Sequence, residues 1–129
     1  MNFQNVLNNL TENKRKIENL IDYFARYLNT GDCEKVIVDF FHKISFYTND
    51  LLLTEKILLK QKDSGLFNRL LEEHKLFAEK LMYFQKKFEQ KKQGVCKELF
   101  DFIKNWYEEH IKFLENNIGR YTGVKNNLK

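Results

Sequence analysis

The sequence predicts an all-α chain folded as an up-down-up-down antiparallel four-helix bundle. Three observations carry this expectation. The chain contains no proline, the residue that interrupts a helix by removing a backbone donor and crowding the preceding turn. Apolar residues recur every three or four positions in four successive segments, which puts them on one face of a helix. None of these segments alternates with the period of two that a half-buried strand needs. Three polar clusters, each with a glycine, separate them: Asn29 to Asp32, Lys62 to Gly65 and Lys91 to Gly94. A chain of 129 residues suits a single domain, 1–129, whose core stands without staples.

The first segment runs Phe3, Val6, Leu7, Leu10, then Ile17, Leu20, Ile21, Phe24, Tyr27, Leu28. The rhythm skips a beat after Leu10, and Lys14 occupies the missing position. "NTGD" ends the segment with a glycine and offers Asp32 as an N-cap. The second runs Cys33, Ile37, Phe40, Ile44, Thr48, Leu51, Glu55, Leu58. "KDSG" is a turn cluster that leads into the third, Phe67, Leu70, His74, Phe77, Leu81, Phe84, Phe88. "KKQG" closes it, with Gly94 expected as the glycine just past the helix end. The fourth runs Leu99, Ile103, Trp106, His110, Phe113.

Each stripe therefore carries one ionisable residue where an apolar one belongs: Lys14, Glu55, His74 and His110. Taken singly, a lysine there extends its amine to solvent, and a lone histidine is a hydrogen-bonded core residue. Their depths set them apart. Counted from the end that holds the first and third turns, Lys14 and His110 lie about 17 residues down, His74 and Leu51 about 19, and Glu55 and Glu115 about 22 to 23. At a rise of 1.5 Å per residue the set falls within roughly 9 Å of height. Polar exceptions from four helices in one layer mark the candidate site.

Composition excludes several classes. The net charge of +4 is mild, and the densest basic stretch, Gln85 to Lys97, is interrupted by Glu89. Nucleic-acid binding needs cations gathered on one face, so none is expected. No apolar run approaches the roughly 20 residues that span a bilayer, and no segment joins a basic face to a broad apolar one, so no membrane role is expected. The first residues lack the basic and apolar regions of a signal peptide. A cytoplasmic location is expected, with Cys33 and Cys96 as free thiols whose spacing matches no metal motif and whose depth puts both near the end that holds the first and third turns, far from the polar layer. There is no glycine-rich phosphate loop and no serine nucleophile motif, so the chain is not expected to be an enzyme. Phe41, Tyr47, Tyr83, Phe102 and Tyr107 lie outside the stripes. Either they form a face for an unknown protein partner or for self-association, or they cover the corners between helices.

The stretches "SFYTNDLLLTEKILLK", "LLEEHKLFAEKL" and "ELFDFIKNWYEEHI" resemble hemerythrin, in particular the bacterial single-domain hemerythrins. The likeness runs from about Leu10 to about Tyr121. It implies one histidine on the first helix, H-x-x-x-E on the second, H-x-x-x-H on the third and H-x-x-x-x-D on the fourth, holding two irons that bind dioxygen. Carried over by motif, the first position is Lys14. The second pair is Leu51 and Glu55, the third Leu70 and His74, the fourth His110 and Glu115. Three of the five family histidines are replaced. The remaining histidine of the chain, His42, lies about nine residues above Leu51, too far to substitute, and is expected at a boundary or at the surface. Five residues turn through about 140° on an ideal helix, so Glu115 does not share a face with His110 unaided.

The pattern of loss implies that one iron has neither of its nitrogen ligands, at Lys14 and Leu51, while the other keeps His74 and His110. A dinuclear centre and oxygen carriage are not expected. Two states remain. Glu55, His74, His110 and Glu115 hold one divalent metal, with iron foremost and zinc or manganese also suited to two nitrogens and two carboxylates, a set that at a single iron would serve metal sensing, storage or an oxidation step. Or the bundle is metal-free, the Lys14 ammonium pairing with Glu55 where the iron stood and Leu51 and Leu70 filling the vacated volume. The expected role is regulatory, sensing or interaction. The alternative is a working hemerythrin-type non-haem iron protein that binds dioxygen or stores or senses iron.

Overall fold

The computed structural model describes residues 3–59 and 64–118. Within them every regular element is helical: α1 (Phe3–Thr30), a 3-10 turn (Cys33–Lys35), α2 (Ile37–Leu59), α3 (Ser64–Glu89) and α4 (Val95–Phe113), which continues into a π-helical turn (Leu114–Ile118). Lys62 and Asp63 of the second turn cluster, and the end of the hemerythrin likeness beyond position 118, lie outside the described residues. α1 packs on α2, α2 on α3, α3 on α4 and α4 back on α1. Cross-helix pairs show the antiparallel register. Phe24 of α1 stacks on Phe40 of α2 near one end, with centroids 4.1 Å apart, while Asn13 reaches Thr54 near the other. Phe84 meets Phe102, and further along both helices Phe77 meets Trp106.

The stripes are the core. Val6, Leu10, Ile17, Phe24, Ile37, Phe40, Ile44, Leu51, Leu70, Phe77, Leu81, Leu99 and Ile103 are all buried. Burial of each such side chain contributes about 1.5–3 kcal/mol, which is why the apolar spacing and not local propensity sets the helices. The core is wider than the stripes. Phe41 and Tyr107, expected on outer faces, are buried. Tyr47 and Phe102 are half-buried against the core, and Tyr83 alone of the five is exposed. Corner covering is what four of these aromatics do.

Two helix ends close with the same device. Beyond α1, Gly31 takes the left-handed conformation at φ 79°, and the Gly31 and Asp32 amides donate back to the Leu28 and Tyr27 carbonyls. Beyond α3 the equivalent position is Lys91, at φ 57°, with the Lys91 and Lys92 amides donating to the Phe88 and Lys87 carbonyls. Gly94, expected to fill that role, instead precedes α4 with its own φ of 79°. Asp32 precedes the 3-10 turn but makes no side-chain cap.

The free-thiol expectation is overturned. Cys33 and Cys96 form a disulfide, Cα–Cα 6.3 Å, that ties the α1–α2 connection to the first turn of α4. Depth counting placed both sulfurs at one end of the bundle, and there they meet. Disulfides persist in oxidising environments, so the bond points away from the cytoplasmic location expected from the first residues. Among the described residues no helix is long and apolar enough to cross a membrane.

Candidate functional site

The polar layer exists, but other side chains fill part of it. At one level of the bundle stand Asn13 and Lys14 of α1, Thr54, Glu55 and Lys56 of α2, Glu73 and His74 of α3, and Tyr107 and His110 of α4. Two of the expected residues meet at its centre. His110 and Glu55 are 1% and 0% exposed. The His110 Nε2 lies 2.8 Å from both Glu55 carboxylate oxygens and donates to them. The bond crosses the bundle from α4 to α2. The opposite ring nitrogen, Nδ1, faces Oε2 of Glu73 at 3.6 Å, beyond hydrogen-bonding distance. Both of those atoms are buried without a hydrogen-bond partner.

The imidazole plane is fixed by stacking. Trp106, one turn earlier on α4, lies 4.8 Å from His110 and nearly parallel to it, and Phe113 closes the other side at 5.9 Å. Arg69 sits over the Phe113 ring at 4.7 Å. Burial alone would push the His110 pKa down. The Glu55 charge and hydrogen bonds, with a further contribution from Glu73, reverse this and push it up to about 9. The two carboxylates therefore favour the imidazolium form of the ring. Burial pushes the Glu55 carboxyl above the usual range, against the pull of His110.

The other expected members lie elsewhere. His74 is half-buried and turned to Lys56, whose Nζ lies 3.0 Å from its Nδ1. Burial, then the Lys56 charge, lowers the His74 pKa, so the neutral ring accepts from the ammonium. Lys14 pairs with Glu18 at 3.7 Å and not with Glu55. Tyr107 donates to the same Glu18 at 2.6 Å. Glu115 is half-buried on the π-helical turn and bonds neither His110 nor Glu55. Leu51 and Leu70 are fully buried. His42 is exposed, as expected.

Five members of the layer were missed: Asn13, Thr54, Lys56, Glu73 and Tyr107. Glu73 was passed over for its neighbour His74, and Asn13, buried and donating toward Thr54 Oγ1 at 3.4 Å, for its neighbour Lys14. As arranged, the donor atoms do not converge. His110 lies between its two carboxylates, and among the described residues no three His, Cys, Asp or Glu side chains gather around one point. A cavity of about 200 Å³ lined by Glu73, Leu76, Phe77, Phe102 and Trp106 opens beside Glu73. Comparison of the chain with protein-family models, with curated proteins and with solved structures finds no match.

Proposed function

We propose that this chain is a hemerythrin-like four-helix bundle that has lost the dinuclear centre and serves as a regulatory, sensing or interaction module. It holds at most one metal and carries no oxygen. One observation carries the reading: His110 is engaged through Nε2 by Glu55, an acceptor where a metal would have to sit. Three surroundings support it. His74 is committed to Lys56, Lys14 to Glu18, and Leu51 and Leu70 fill apolar space. The Glu55–His110 pair offsets its own buried charge, as buried ions require, and needs no iron to do so.

The test is metal content per chain, on protein as purified and again after anaerobic Fe(II) loading and desalting. No more than one metal per chain is expected in both. Two per chain, with a diiron-like absorption spectrum in air, would overturn the reading and return dioxygen binding as the function.

A further inference from the structure

α2 is apolar on two sides. Its inward side builds the core. On its outward side Val38, His42, Phe46, Asn49, Leu53 and Ile57 are all exposed, the four apolar members at 48–68%. At about 100° per residue the six fall within an arc of about 100°, the width of stripe that a helix ordinarily turns to a core. None of them is Lys, Arg, Asp or Glu, in a chain where these make up 31%. The apolar surface continues onto α3. Phe46 and Met82, exposed at 68% and 57%, share a groove of about 490 Å³ that Asn49 also lines. A contiguous apolar patch of this kind marks an interaction site.

The spacing says what covers it. Reversed, the stripe superposes on itself, Val38 on Ile57, His42 on Leu53 and Phe46 on Asn49. A twofold contact requires this self-complementarity, in which one residue meets a second and the second meets the first. We propose that this face binds a second copy of the chain, with α2 antiparallel to α2 about a twofold axis midway between Phe46 and Asn49. Each Phe46 then lies over the partner's Asn49, at the mouth of the groove between α2 and α3. Lys43, which borders the stripe, comes to within about 3 Å of the height of the partner's Asp50, and the symmetry repeats this charge match. An anionic membrane surface calls for basic flanks, and Asp39 and Asp50 on the same border oppose it. The stripe is about 29 Å long, and with α3 the face is roughly 20 Å wide. That gives roughly 600 Å² per copy, at the lower end of what stable interfaces bury.

This pairing goes beyond the reading of the buried layer and does not depend on metal content. Light scattering on the full-length chain, from micromolar to submillimolar concentration, should show two chains per particle at the upper end. Phe46→Glu alters a side chain that is 68% exposed in a single copy, so the variant should still fold, which circular dichroism checks. It should weaken association at least about 30-fold, as loss of a central aromatic anchor does. Lys104→Glu, exposed on α4, should associate as the parent does. Cross-linking reads the register. Cys33 and Cys96 are bonded to each other, so a short bismaleimide reacts with an introduced thiol alone. Asn49→Cys lies close to the axis and should be joined to its counterpart. Val38→Cys lies about 29 Å along the helices from its own counterpart and should not be. One chain per particle throughout, association unchanged in Phe46→Glu, or linkage at Val38 and not at Asn49 overturns the inference, and each leaves the reading of the metal centre intact.

Discussion

Cutting one side of the Glu55–His110 pair should be far more damaging than removing both. In Glu55→Leu the imidazole at 1% exposure loses both 2.8 Å contacts and has no solvent to replace them. Truncating one member of a buried ion pair costs about 3–5 kcal/mol. For a chain of this length, about 1 kcal/mol corresponds to roughly 4 °C in Tm, so Glu55→Leu should fall by roughly 10–20 °C. His110→Phe alone strands the Glu55 carboxylate and should cost a similar amount. The double variant replaces both with apolar groups, and Phe at that position continues the stack from Trp106 to Phe113. Such replacements are often neutral or stabilising, so it should lie within about 1 kcal/mol of the parent, a coupling of several kcal/mol. Chemical unfolding of the four proteins at pH 6, followed by circular dichroism, gives the cycle. Additive losses in the double variant would refute the view that each residue is there to satisfy the other.

Two further outcomes follow from the same geometry. Reducing Cys33–Cys96, which are 63 residues apart, frees a long loop in the unfolded chain and should cost about 4 kcal/mol, read as a Tm drop of roughly 15 °C in dithiothreitol. Cys33→Ser should reproduce that loss and be insensitive to the reductant. Stability should also decline with rising pH. The His110 pKa is raised to about 9 in the folded chain against about 6.5 unfolded. Its contribution, at most about 3 kcal/mol, is full below pH 6.5 and lost as pH passes through 9. The double variant Glu55→Leu with His110→Phe should lack this slope.

The bundle was legible because apolar spacing fixes which face of each helix is buried. The layer was legible because helix rise converts sequence distance into depth. Facing within a layer was not. Between Leu10 and Ile17, both Asn13 and Lys14 keep the three-four rhythm; between Leu70 and Phe77, both Glu73 and His74 do. Neighbours on a helix point about 100° apart, and what lies opposite decides which turns inward. Lys56 draws His74 aside and Glu18 draws Lys14, leaving Glu73 and Asn13 to the interior. The same limit hid Phe41 and Tyr107, which widen the buried face beside Phe40 and Ile103. Cys33 and Cys96 were placed at one end by depth, yet their pairing was missed because the thiol state was inferred from location rather than from proximity.

The most direct test of the site is the ring nitrogen chemical shifts of His110 followed by NMR from pH 5 to 10 in chelator-treated protein. The structure predicts that His110 stays doubly protonated through neutrality and titrates near 9. Titration of His110 at or below about 6.5 would mean that Glu55 and Glu73 do not clamp an imidazolium, and the centre of the layer would have to be reassigned.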